Sequence, residues 1–455
     1  MSGDPYIAQS GDASMSVEHY DLTLDYKVTT NRLSGVAAIR GRAITATRSL
    51  SFDLVGVRAT KVRVAGDRAA SFHQSDRKLR VTLGAPLSAG DAFEITVVYA
   101  GAPRPRRSRW GTIGWEELED GVLVAAQPTG APTWFPCNDL PADKATYRIE
   151  FTTDSAYTVV AGGRTSRSTR GGKTTWIFER GEPTPTYLVT LQVGRYTSEP
   201  LALGATRGHL HYPPPLAARV HADFDDLPRM MAVFEEAFGP YPLPDYSVVV
   251  TADVLEIPLE AQGMGIFGAN HADGAGGSER LIAHELAHQW FGNSVGVRLW
   301  RDIWLNEGFA CYAEWIWSER SGGASAHAKA IAHHARLAAL PQDIVIGDPG
   351  PDLMFDDRVY KRGALTLHAL RLTVGDAAFF AVLREWSARF RASTATTPDL
   401  QALAAEITGM PLAGLWEAWL DRRPLPGLPP VRGAGSAVEP AVVTAPVPWT
   451  ESPPY

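Results

Sequence analysis

A chain of 455 residues, 45% hydrophobic and 20% charged, is long enough for two or three domains with cores of their own. Its net charge of −7 and pI near 6.0 argue against a nucleic-acid partner, and no apolar run approaches the length of a membrane span. Only Cys137 and Cys311 occur, so no disulfide framework is expected, and the opening MSGDPYIAQSGDASMS lacks the basic and apolar regions of a signal peptide; cytoplasmic residence is the expectation.

From Val17 to about residue 100 the chain reads as strands. Val17–Thr29, Lys78–Leu83 and Phe93–Tyr99 alternate apolar with polar residues, and Ala65-Gly66-Asp67 and Ala89-Gly90-Asp91 are turn signals. This predicts an antiparallel sheet with one buried face. Arg104–Arg109 (RPRRSR) reads as a solvated loop. The Pro-rich run Gln127–Tyr147 is a shaped loop of the kind that lends side chains to a neighbouring site. Strands at Tyr147–Thr153, Tyr157–Ala161 and Thr186–Val193 close this half. From about Val220 to Asp421 the apolar period is largely helical, giving an α+β, multidomain chain divided at residue 204, with a second domain over 205–423 and a Pro- and Ala-rich, flexible tail over 424–455.

Leu281–Ala310 carries the chemistry. His284 and His288 stand four apart, about 40° from each other around a helix, so two imidazoles share one face. Each can give a nitrogen to one zinc ion. Glu307, nineteen residues on, supplies a third ligand from a second helix, and the fourth position stays open for water; closed structural sites use four ligands, usually with cysteine. Glu285 lies off the ligand face and is placed to act as general base. Ser278 is positioned to cap this helix, Gly292-Asn293 reads as its stop, and a second periodic run begins near Leu305.

Around this stretch, Glu256 and Glu260 flank apolar runs ahead of the zinc helix, where a carboxylate either binds a substrate ammonium group or faces solvent. Glu314, seven after Glu307, orients a metal ligand or faces water with equal ease. Cys311 has no evident basic activator and reads, like Cys137, as a small buried residue. His327, His333 and His334, in the Ala-rich helix 324–340, read as exposed. Further helices are expected over 357–372, from Thr396-Thr397-Pro398 to Gly409, and over 412–421.

HELAHQWFGN followed by WLNEGFA at this spacing resembles the gluzincin aminopeptidases, the group of alanyl and leucyl aminopeptidases and leukotriene-A hydrolase. The resemblance runs from the first strands to about residue 421. It implies a saddle-like N-terminal sheet domain before a thermolysin-like catalytic domain, with zinc on His284, His288 and Glu307, Glu285 as catalytic acid/base, and peptides with a free N-terminus as substrates. VYKRGA puts Tyr360 in the place of the family's oxyanion tyrosine, with Arg362 where a lysine would stand. The family's Gly-Ala-Met-Glu-Asn motif corresponds to Ile257-Pro258-Leu259-Glu260-Ala261, so only Glu260 is kept to hold the substrate amine. Phe135-Pro136-Cys137-Asn138-Asp139-Leu140-Pro141 matches the family's FPCxDxP, and counting back assigns the second amine-binding position to Gln127. The altered motif leaves endopeptidase and epoxide-hydrolase chemistry as alternatives; a silent scaffold would be expected to have lost a ligand or the base, and none is missing. Larger members carry a helical C-terminal domain, so a more open cleft, or one covered by a partner subunit, is expected here.

Overall fold

The computed structural model describes residues 3–430. The expected tail therefore lies outside the described residues beyond residue 430. In the first half a seven-stranded sheet runs in the order Arg164–Arg170, Lys173–Pro185, Lys144–Asp154, Met15–Lys27, Arg32–Ala43, Ala92–Gly101 and Arg58–Val64. Strict alternation along Arg32–Ala43 turns Leu33, Ala37 and Ile39 inward, as a half-buried strand requires. Two smaller sheets complete this half, and their inward rows build one core around Tyr20, Trp115, Trp134, Phe135 and Tyr147.

Several expectations are corrected. The large sheet is not wholly antiparallel: Met15–Lys27 pairs in parallel with Lys144–Asp154, because the long intervening chain returns to the same edge. Thr186–Leu188 is a 3-10 turn and only Gln192–Gly194 is strand, since Thr186 is held by its hydroxyl on Asp139 (2.6 Å). The division at residue 204 falls inside a hairpin, Thr197–Leu203 with Thr206–Tyr212, whose second strand pairs with Asp245–Val250, so the hairpin belongs to the second half. Arg106–Ser108 is a short strand, not a loop.

The second half sets this five-stranded sheet, completed by Leu259–Ala261 and Met264–Phe267, against helices α1 (Ala217–Asp223), α2 (Leu227–Phe238), α3 (Glu279–Ala287), α4 (Trp304–Ser321), α5 (Ala326–Ala338), α6 (Asp357–Val374), α7 (Asp376–Arg389), α8 (Thr397–Thr408) and α9 (Ala413–Trp416). Helix α8 starts in a Thr396/Asp399 capping box and ends at Gly409, with φ of 62°. Helix α4 is buried without a break from Trp304 to Trp317, its apolar residues spread around the helix and its buried polar residues including Asn306, Glu307 and Glu314. No helix among the described residues is long and apolar enough to cross a membrane.

The FPCND segment staples the first half together. Asp53 exchanges backbone hydrogen bonds with Cys137, its carboxylate accepts from Gly11 N (2.7 Å) and Lys78 Nζ lies 2.7 Å from it. Burial foremost, and then Asp53, hold the Asp139 carboxyl up at about 7. The unfolded chain ionises this group near about 4, so its contribution to stability is full below that value and is lost as pH rises to about 7. Asp139→Asn keeps an acceptor for Thr186, and we expect it to flatten this decline and to unfold later than the parent at about pH 8, by on the order of 1 kcal/mol. Thermal melts across pH check this; parallel curves for the two proteins would refute it.

Candidate active site

Helix α3 presents His284 and Glu285 and ends at Ala287, with His288 at its C-cap, so the last turn and not Gly292 closes it. Ser278 occupies the N-cap without a side-chain hydrogen bond; the helix start is held instead by Trp317 Nε1 donating to Glu279 (2.7 Å). The positive φ of Gly292 (113°) turns the chain back beneath His288, where a Cβ would stand 3.2 Å from the His288 Nδ1. Glu307 arrives from the first turn of α4.

These elements bring the three side chains together. His284 Nε2 lies 3.4 Å and His288 Nε2 3.3 Å from the same Glu307 oxygen. Both Nδ1 atoms are engaged, that of His284 by Glu314 (2.8 Å) and that of His288 by the Phe291 carbonyl (3.0 Å). A carboxylate and a carbonyl accept, so each Nδ1 carries a proton and Nε2 is the ring nitrogen turned toward Glu307. Separations of about 3.3–3.4 Å are what a tetrahedron with bonds of about 2.0–2.1 Å requires, so the donor set fits zinc.

The electrostatics point the same way. Glu260, Glu285, Glu307 and Glu314 converge on two imidazoles, against which stand two fixed cations, Arg280, 3.1 Å from Glu314, and Lys361. Burial would lower His288, but Glu307 and Glu260 outweigh it and drive it up to about 10; burial would raise Glu307, but His288 and His284 pull it down to about 2. Burial, more than its neighbours, lifts Glu285 to about 7, and its Oε2 is buried without a hydrogen-bond partner. A pocket so rich in carboxylate is completed by a cation.

Asp356 caps α6 by accepting from Arg358 N (2.9 Å), which places Tyr360 at the cavity shared with His284 and Glu285, its ring 6.2 Å from that of His284. Arg362 is absent from that cavity. It is buried on another side of α6 and donates to the carbonyls of Trp419 (2.9 Å) and Arg423 (2.6 Å). Glu260, on strand Leu259–Ala261, accepts from Gln127 Nε2 (2.7 Å) and shares a cluster, its ligand atoms within 4.8 Å, with Glu285 and His288. Glu256 lines a neighbouring cavity.

Sequence reasoning missed what ties these parts together. Gln289 accepts from Gly263 N (2.8 Å) and Asn293 donates to the Ala261 carbonyl (2.8 Å), so the turn that follows the histidine helix also fixes the end of the strand that offers Glu260. Both lie in the HQWFGN run, whose polar residues within an apolar stretch were the available signal. Lys144 reaches from the first half to the carbonyls of Asn293 (2.9 Å) and Ser294 (2.8 Å). Glu314 is buried against His284, not solvent-facing. Lys361 Nζ stands 3.4 Å from Cys311, a basic neighbour the sequence did not show, yet burial holds that thiol up at about 12. The three expected surface histidines are half-buried: His333 stacks on Trp315, His327 meets His368 (3.0 Å) and His334 meets the Pro426 carbonyl (2.8 Å). Each is drawn in by a partner from another element.

Two histidines and a carboxylate, with a second buried carboxylate beside them, have the make-up of a hydrolytic metal centre. Residues 16–188 match the peptidase M1 N-terminal domain and residues 222–419 the peptidase family M1 domain. The M1 zinc metallopeptidase from Deinococcus radiodurans is 32% identical, superposes with a TM-score of 0.87 and is covered over 99% of its length by 95% of this chain. A mutant of it bound to a Tyr-Ser-Ala substrate superposes with a TM-score of 0.85, over 92% of this chain and 97% of that one. The chain is also 25% identical to a leucyl aminopeptidase from Saccharolobus solfataricus, over 92% of this chain and 54% of that protein, and 27% identical to aminopeptidase M1-A from Oryza sativa, over 68% and 38%. It thus spans about two fifths to one half of the curated relatives it matches. The chain belongs to the M1 family of zinc metallopeptidases, and the family implies a catalytic zinc ion.

Glu314 fixes His284 in the tautomer that presents Nε2 to a metal. We expect Glu314→Gln to lower zinc affinity by about 10- to 100-fold. Competition with a chromophoric chelator reads this directly, and an unchanged affinity would show that Glu314 does not orient the ligand.

Proposed function

We propose that this protein is a zinc-dependent aminopeptidase that hydrolyses the N-terminal peptide bond of peptides. The observation that carries this reading is the Gln127–Glu260 pair (2.7 Å), set beside Glu285 and His288. A carboxylate held there anchors a substrate ammonium group and stops cleavage one residue in. The relatives named as aminopeptidases, and the relative bound to Tyr-Ser-Ala, support the same substrate class.

His284, His288 and Glu307 hold the zinc in this reading. When bound, zinc polarises the scissile carbonyl and makes water a stronger acid. Glu285 takes the proton of the attacking water and passes it to the leaving amine, a transfer eased by the burial that raises its pKa. Tyr360 donates its hydroxyl to the oxygen that gains charge. Glu260, steadied by Gln127, fixes the substrate amine. The two buried, unpaired cysteines fit a reducing compartment such as the cytoplasm.

Amino-acid anilides should be cleaved, and chelation should abolish the cleavage. Glu285→Gln should cost about 10²- to 10⁴-fold in kcat, and Tyr360→Phe about 10²- to 10³-fold with little change in KM. Full activity in Glu285→Gln would overturn the mechanism. An N-acetylated peptide offers no charge to Glu260 and should not be cleaved; efficient cleavage of one would remove the aminopeptidase reading.

A further inference from the structure

Beside the amine anchor lies a second cavity, of about 420 Å³, which shares Gln127 with that anchor and Phe355 and Ile257 with the catalytic cavity. Its walls are apolar, built from Trp110, Leu123, Leu259 and Phe355. Trp110 is pinned by its Nε1 donating to the Pro351 carbonyl (2.7 Å) and packs edge-on against Phe355, so this wall is a fixed surface. Two carboxylates, Glu116 and Glu256, also line the cavity, and neither makes a hydrogen bond or ion pair with the described residues.

No lysine or arginine lines it. Arg109, stacked on Trp110, is paired with Asp352 (2.8 Å). A third carboxylate, Asp253, adds its charge at the same end: it accepts from Glu119 N (3.0 Å), and with burial it holds Glu116 above the usual carboxylate range. The cavity thus combines a long apolar wall with uncompensated negative charge, the two features that a side chain with an aliphatic stem and a cationic head satisfies together.

We propose that this cavity receives the side chain of the substrate's N-terminal residue and favours arginine or lysine over a neutral side chain of the same length, the stem lying on Trp110, Leu123 and Phe355 and the cation facing Glu116 and Glu256. The inference rests on the aminopeptidase reading and adds its N-terminal preference.

Arginyl, citrullinyl and leucyl coumarylamides compared on the zinc-loaded full chain test it, because citrulline keeps the length and polarity of arginine without the charge. The expected kcat/KM ratio of arginyl to citrullinyl substrate is roughly fivefold at low salt, shrinking as salt is added. It should fall in Glu116→Gln and in Glu256→Gln, and approach one in the double variant; a ratio between two substrates is insensitive to any general loss of active protein. Leucyl cleavage with an arginyl-to-citrullinyl ratio near one, or a ratio that survives the double substitution, would overturn the inference. Absence of cleavage of all three would overturn the aminopeptidase reading and this inference with it.

Discussion

Four glutamates, Glu260, Glu285, Glu307 and Glu314, are packed around two imidazoles in a region closed by the apolar sides of α3, α4 and α6. Without a cation this is a poor arrangement, because each buried carboxylate costs solvation and repels its neighbours. The shifts show the conflict: His288 is driven up and Glu307 down, as each stands in for the counter-ion the other lacks. A divalent ion held by His284, His288 and Glu307 would relieve it and would leave Glu285 and Glu260 free of the metal. Much of the surrounding fold holds these groups where they would otherwise separate.

That restraint is supplied by polar ties with few alternatives. Gln289 and Asn293 bind the substrate strand through its backbone at Gly263 and Ala261. Backbone partners fix a strand regardless of its side chains, which explains how Ile257-Pro258-Leu259 can depart from the family's motif while Glu260 keeps its place. Lys144 and Tyr187 approach the turn after α3 from the first half, on the carbonyls of Asn293 and Gly292. The β-rich half therefore holds the turn after α3 in position as well as bringing Gln127 to Glu260.

The convergence of His284, His288 and Glu307 was legible because its signal is local: a four-residue spacing on a helix, with Glu307 opening the next. Strand alternation and the α8 caps were legible for the same reason. What escaped depends on partners far apart in sequence. Nothing near Thr186 shows that Asp139 will hold it in a turn, nothing near residue 150 shows a parallel edge, and the half-buried histidines of α5 are drawn in by Trp315, His368 and Pro426. Glu314 sits between these cases, since its spacing from Glu307 put it on the correct face but burial decided its role.

Residues 360–363 show why one departure from the family pattern leaves the site intact. Successive helical residues point about 100° apart, so four in a row sample the whole circumference of α6. Tyr360 faces the catalytic cavity, and Lys361 turns toward Cys311 on α4. Arg362 faces the π-helical turn Glu417–Asp421 that continues α9, donating to the carbonyls of Trp419 and, just beyond the turn, Arg423. Gly363 meets Gly308 so closely that a Cβ on either would come within 2.8 Å of the other's Cα. The two helices approach most closely at this glycine pair, one residue after Glu307 and three after Tyr360. A change at position 362 meets these carbonyls, whereas a side chain at 308 or 363 would push α4 and α6 apart beside Glu307 and Tyr360.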